Sequence, residues 1–201
     1  MKLNLGCGED IKPGYTNVDF RDLPGVQKTD LSRFPWPWPD SSADEILMLD
    51  FLEHFPYRKT DLILGEAWRV LKPGSPLVVQ VPSFKECSAA MNFDVGMLCN
   101  SCGFEWTESY CMSNEKEKCG KCGQSRDVVC EAAMQRLYGG QDYEGNSHFA
   151  AFTQNSIQHK LKKNGFGSAE ILETNENGET FRQNWNMRVR VIKEPDLWGE
   201  Q

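Results

Sequence analysis

Along the first 82 residues, short apolar runs alternate with turn chemistry, the pattern of strands joined by crossovers in a layered α/β domain. Leu3-Asn4-Leu5 reads as a strand that runs into Gly6-Cys7-Gly8. Asn17–Phe20 follows the turn residues Lys12-Pro13-Gly14 as a second strand, and Val26–Asp30 as a third. Pro35, Pro37 and Pro39 then exclude helix or central strand, since proline lacks a backbone donor and restricts the residue before it. Glu45–Leu49 has the length of a buried strand, and Thr60–Leu71 that of a helix. Thr60 is its expected cap, Leu62, Ile63, Glu66, Ala67 and Val70 carry the helical period, and Lys72-Pro73-Gly74 stops it. Leu77–Val81 is the next strand, ended by Pro82.

Residues 93–130 break this rhythm, being rich in Cys, Gly, Glu, Ser and Lys. They read as an insertion that divides the main domain into 1–92 and 131–201. After it the α/β pattern resumes: a helix over Thr153–Asn164 closed by Gly165, then strands over Ala169–Glu173 and Asn186–Lys193. The polar run Asn175-Glu176-Asn177-Gly178-Glu179 between these strands predicts an antiparallel hairpin. The basic stretch His159-Lys160-Leu161-Lys162-Lys163 reads as the solvated face of a helix.

With 201 residues the chain has room for one domain of roughly 150 residues plus a small appendage. Its 39% hydrophobic and 25% charged residues are those of a protein with a real core. No apolar run long enough to cross a membrane occurs, and Met1-Lys2 leads into a strand rather than a secretory signal. The expectation is therefore a cytoplasmic protein with no membrane partner. A net charge of -7 gives no general attraction for nucleic acid.

A reducing compartment makes paired cysteines metal ligands rather than disulfides. Cys99-Asn100-Ser101-Cys102-Gly103 and Cys119-Gly120-Lys121-Cys122-Gly123 are two C-x-x-C-Gly knuckles separated by sixteen residues, a spacing suited to one tetrahedral Zn2+ held by Cys99, Cys102, Cys119 and Cys122. Phe104-Glu105-Trp106-Thr107 between them has strand composition, as in a zinc-ribbon hairpin. Four thiolates leave no open position, so this zinc is expected to be structural. Cys87, Cys111 and Cys130 remain as free thiols. The insertion carries six acidic and four basic residues, poor material for gripping phosphates.

A glycine bend after the first strand lets backbone approach a ligand closely. The dinucleotide fingerprint is not met, because Ile11 stands at the position of its third glycine. Asp19 ends the next strand, where an acid can accept from both hydroxyls of a ribose. Asp30, followed by Leu31, is placed to meet an adenine amino group. With LNLGCG at 3–8, NVD at 17–19, DLSRFPWPWPD at 30–40, ADEILMLDFLEHF at 43–55 and EAWRVLKPGSPLVVQVP at 66–82, the chain resembles the class I S-adenosylmethionine-dependent methyltransferases. That resemblance implies a Rossmann-like fold, α/β, with a mostly parallel seven-stranded sheet whose last strand is antiparallel. It also implies S-adenosyl-L-methionine as cofactor. The backbone of Leu5, Gly6, Cys7 and Gly8 would lie near its methionine part, Asp19 at the ribose, Asp30 and Leu31 at the adenine, and Leu49 and Asp50 at the sulfonium. Two features depart from the family: Asp10 replaces a frequent third glycine, and so few residues separate Gly6 from Asp19 that the first crossover helix must be abbreviated and the pocket open.

Methyl transfer requires an acceptor held in line and relieved of its proton where necessary. His148 and His54 are the candidates for the base or positioning residue, with Glu53 as an orienting acid or ion-pair partner and Tyr143 as a hydroxyl donor or packing residue. Trp36 and Trp38 either wall the adenine or cover the sheet. The leading function is methylation of an oxygen or nitrogen of a small molecule, sugar or nucleotide. The alternatives are a nucleic-acid methyltransferase that recognises its substrate through the zinc insertion, and a non-catalytic zinc-stabilised adaptor. Asp50-Phe51-Leu52-Glu53 lacks the Asp/Asn-Pro-Pro-aromatic motif that holds a flipped base, and no Pro-Cys nucleophile stands there. Oligomeric state is not specified by the sequence.

Overall fold

The computed structural model describes residues 1–91, 97–98, 105–106, 121, 133–173 and 185–194. Strands β1 (Lys2–Leu5), β2 (Thr16–Asp19), β3 (Gln27–Lys28), β4 (Glu45–Leu49), β5 (Pro76–Pro82), β8 (Glu170–Leu172) and β9 (Asn186–Ile192) form one sheet in the order β3-β2-β1-β4-β5-β9-β8. The first five are parallel, and β9 runs antiparallel to both β5 and β8. This is the seven-stranded sheet with an antiparallel last strand that the sequence predicts. A separate antiparallel pair, β6 (Met97–Leu98) and β7 (Glu105–Trp106), falls within the stretch 93–130 that the sequence reads as an insertion. Cys99, Cys102, Cys119 and Cys122, the cysteines expected to hold zinc, lie outside the described residues.

The central strands are apolar because they are covered on both faces. Leu3, Leu5, Ile46, Met48, Leu77, Val79 and Val81 are fully buried. Helix α1 (Thr60–Val70) packs Ile63, Leu64, Ala67 and Val70 against them. Leu62, expected inside, is exposed, and Leu64 takes its place. Thr60 is the first helical residue rather than the cap, and its hydroxyl donates to the Tyr57 carbonyl at 2.6 Å. Helix α2 (Phe84–Met91), the helical segment 133–138 and helix α3 (Gln154–Lys163) complete the layers. Thr153 caps α3 in a reciprocal capping box with Ser156. The basic stretch of α3 is not wholly solvated: Lys160 is buried and donates from Nζ to Asp61 Oδ1 at 2.8 Å and to the Tyr57 carbonyl at 3.1 Å.

No helix joins β1 to β2, so the abbreviated crossover is a loop without any helical turn. Two buried asparagines replace the missing helix. Asn4 Nδ2 donates to Asn17 Oδ1 and to the Asp10 carbonyl, each at 2.9 Å, and Asn17 in turn binds backbone of Lys12 and Tyr15. Because a side-chain amide both donates and accepts, it satisfies loop backbone that would otherwise be buried unpaired. β3 is a two-residue, exposed edge strand, shorter than Val26–Asp30 suggested. Strand order reverses between β1 and β4, so the loops leaving these two strands flank the sheet's switch point, where open α/β sheets bind ligands.

Candidate active site

Beyond the carboxyl end of β1 the chain bends through Gly6 (φ +66°) and Gly8 (φ +53°), the left-handed region that favours glycine. A Cβ on Gly6 would stand 2.1 Å from the Phe51 ring, so the ring packs directly on the backbone. Gly8 N–H donates to Asp19 Oδ2 at 2.9 Å, and Asp19 Oδ1 accepts from Arg21 N–H at 2.9 Å and Nε at 3.2 Å. The bend and the acid at the end of β2 thus meet in one place, with Asp19 buried.

They open into a cleft of about 620 Å³, of the size that holds a small ligand. Gly6, Cys7, Gly8, Asp19, Asp30, Leu31, Leu49, Asp50, His54 and His148 all line it. Leu5 does not; its side chain is fully buried in the core. Trp36 and Trp38 are also buried core residues, in edge contact at 6.1 Å, and cover the sheet rather than the cleft. Asp30 is exposed, its carboxyl held low by hydrogen bonds from Ser32 and by Arg33. The Cys7 thiol is pushed up by burial and then by the Asp19 charge, so it stays protonated and unreactive.

At the opposite side, Asp50 ends β4 in the left-handed region (φ +52°), where a non-glycine residue is strained. Its carboxylate accepts from Gln80 Nε2 at 2.9 Å and Arg136 Nη2 at 2.7 Å. Arg136 Nε also donates to Asn186 Oδ1, and Gln80 Oε1 accepts from Arg188, its partner in the β5–β9 register. The sequence reading did not find Arg21, Phe51, Gln80, Arg136 or Arg188. Gln80 alone carried a signal, as a polar residue inside the apolar run of β5.

Next to Asp50, a 3-10 turn over Leu52–His54 meets the loop that precedes Ala150. Phe149 N–H and Ala150 N–H both donate to the Glu53 carbonyl, at 2.8 and 3.2 Å. His54 Nδ1 lies 3.2 Å from the Ser147 carbonyl, which can only accept, so Nδ1 carries the proton and Nε2 the lone pair. The His54 and His148 rings meet edge to face at 4.7 Å. Burial lowers the pKa of His54; burial, then the neighbouring His54, lowers that of His148 to about 4. Both imidazoles are therefore neutral at pH 7. Glu53 is completely buried; neither of its carboxylate oxygens nor His148 Nδ1 has a hydrogen-bond partner among the described residues. Burial and the Asp50 charge push the Glu53 carboxyl well up.

Among the described residues no helix is long and apolar enough to cross a membrane. No curated protein matches the chain. Residues 7–79 match the family model described as a methyltransferase domain. Among solved structures, the fold is similar to that of an S-adenosylmethionine-dependent methyltransferase from Archaeoglobus fulgidus (13% identity, 96% of this chain and 85% of that one, TM-score 0.51). It is similar also to the 1,6-didemethyltoxoflavin-N1-methyltransferase of Burkholderia thailandensis, solved with its substrate and S-adenosylhomocysteine (12%, 96% and 71%, TM-score 0.52). A third similar structure is a methyltransferase from Thermotoga maritima (15%, 96% and 82%, TM-score 0.51). The domain match over residues 7–79 supports an enzyme, and the fold of the chain is that of these methyltransferase structures.

Proposed function

We propose that the protein transfers a methyl group from S-adenosylmethionine to an oxygen or nitrogen of a small molecule, sugar or nucleotide. The observation that carries this reading is the hydrogen bond from Gly8 N–H to Asp19, which brings the glycine bend and the buried acid to one cleft wall. The residues fit the cofactor. The glycines of the bend carry no side chain of their own into the cleft, and Asp19 Oδ2, bonded among the described residues to Gly8 N–H, keeps acceptor capacity for a ribose hydroxyl. Asp30 and Leu31 frame the adenine end and Leu49 and Asp50 the sulfonium end.

When bound, S-adenosylmethionine supplies an electrophilic methyl group on a sulfonium. The chain's own task is to exclude water, align the acceptor and deal with its proton. His148 and His54, neutral at pH 7, line the cleft and are assigned to the acceptor. With its pKa near 4, His148 is a weak proton acceptor and better suited to positioning than to general-base work.

The four cysteines are assigned to structural zinc, a role measurable by metal analysis of wild type and Cys99→Ser. The chain is expected to work in the cytoplasm and away from membranes. Calorimetry with S-adenosylmethionine tests the cofactor, and failure of the folded, zinc-replete protein to bind it defeats the enzyme reading. Transfer of labelled methyl to pools of metabolites, RNA, DNA and protein then separates a small acceptor from nucleic acid recognised by the insertion. Cofactor binding without transfer to any pool would favour the adaptor.

A further inference from the structure

We propose that Glu53, His54 and His148 bind one divalent cation of the Mn2+, Fe2+ or Zn2+ class, which orients a hydroxyl oxygen of the acceptor. One potential ligand atom from each of the three lies within 4.8 Å of the others. A shared cation about 2.0–2.2 Å from each ligand atom holds them roughly 3–4 Å apart, so binding needs side-chain shifts of no more than about an ångström.

Two features go beyond mere clustering. Glu53 is completely buried, and neither carboxylate oxygen has a hydrogen-bond partner among the described residues. His148 Nδ1 is in the same condition. Leaving such groups unmatched is costly, and buried charges are ordinarily paired or coordinate metals. Protonating Glu53 would relieve its own charge but leave the imidazole unmatched. One cation answers both.

The third ligand is prepared in the way metal-binding histidines usually are. His54 gives its Nδ1 proton to the Ser147 carbonyl, which fixes the ring and leaves the Nε2 lone pair available. The two amides donating to the Glu53 carbonyl hold its turn against the His148 segment, so residues far apart in sequence are already assembled. Two imidazoles and a carboxylate suit first-row transition ions better than Mg2+ or Ca2+, which prefer all-oxygen sets. Three protein ligands leave positions open, and both histidines line the cleft. The open positions thus face the acceptor, where a cation would fix a hydroxyl and make it more acidic. This favours oxygen over nitrogen as the methylated atom. The acceptor role rests on the methyl-transfer reading; the metal site does not.

The test is titration of the full-length, zinc-containing protein with Mn2+, an ion that hard ligands hold and thiolates do not. Free Mn2+ is followed by electron paramagnetic resonance, and 14N modulation of the bound ion is recorded. One Mn2+ per chain with imidazole nitrogen coupling is expected, weakened by at least about tenfold in Glu53→Gln, His54→Ala and His148→Ala. His54→Asn and His148→Asn serve where alanine variants lose near-ultraviolet circular dichroism. Cys99→Ser leaves the Mn2+ affinity unchanged. No binding at millimolar Mn2+, a spectrum without nitrogen coupling, or binding insensitive to the three residues overturns the site. Calorimetry with S-adenosylmethionine on the same samples separates the two readings. Cofactor binding without Mn2+ binding removes only the cation, whereas Mn2+ binding without cofactor binding leaves the metal site standing and removes methyl transfer.

Discussion

The two sides of the cleft are built on the same sheet edge but are left in opposite states. At the β1 bend, Asp19, Gly8, Asn4 and Asn17 bond to one another and to loop backbone. At the end of β4, Glu53 and His148 are as firmly held through their backbones, yet their side-chain atoms go unmatched. A side that satisfies itself is rigid before its ligand arrives, and binding there costs little ordering. A side with unmatched buried groups needs something from outside, and the affinity for that partner comes from relieving them.

The sharpest break of the satisfied side is Gly6→Val. The new Cβ must occupy a left-handed backbone position, at about 1–2 kcal/mol, and displace the Phe51 ring, at about 1–3 kcal/mol. A loss of about 2–5 kcal/mol is expected in urea unfolding, a large part of the stability of an ordinary domain. A midpoint like that of wild type would show that the bend is looser than its contacts imply.

Asp19→Ala removes the acid from the cleft wall assigned to the cofactor. The expected loss of S-adenosylmethionine affinity is about 1–3 kcal/mol, or roughly 5- to 150-fold in dissociation constant. Asp19→Asn, which keeps an acceptor for Gly8 N–H, falls between the two. Equal binding by all three would remove Asp19 from the ribose.

Asp19 was legible in the sequence because strand ends and glycine bends are local features, and the sheet was legible because its apolar runs have strand length. The β4 side of the cleft was only half legible. His54 and His148 stood out as candidates, but their union with Glu53 depends on amide bonds from Phe149 and Ala150 across the fold. Arg136 gave no signal, since its partners Asp50 and Asn186 are distant in the chain. Lys160 was misjudged for a related reason: its carboxylate partner, Asp61, belongs to another helix.

The unmatched side should also reveal itself through pH. Unfolded, His148 takes up a proton near 6.5; folded, near 4. Between these values the unfolded chain binds more protons, so stability falls as pH drops from about 6.5 to about 4. Glu53 acts oppositely. Its folded pKa is raised, so the folded chain keeps the proton longer, and stability falls as pH rises from its ordinary value through the raised one. Melting temperature without added divalent cation is expected to drop by a few degrees on each limb. His148→Asn flattens the acid limb, Glu53→Gln flattens the alkaline limb, and added Mn2+ does the latter in wild type. Unaltered limbs in the variants would mean that other groups carry the pH dependence.

The smallest effect concerns the link between the sides. Tyr143, from the loop before His148, stands 5.6 Å from the Arg21 guanidinium, and Arg21 is bound to Asp19. The ring is half exposed, so this cation–π contact contributes about 0.5–1 kcal/mol. Tyr143→Leu should weaken S-adenosylmethionine binding about two- to fivefold, because Arg21 loses the partner that steadies it beside Asp19. Tyr143→Phe keeps the ring and should bind like wild type, which tests whether the hydroxyl matters. The decisive comparison is with Mn2+. If the sides are energetically separate, Tyr143→Leu changes cofactor affinity and leaves the cation affinity alone. Parallel losses in both would instead mean that the loop couples them, and that the unmatched side owes part of its geometry to the satisfied one.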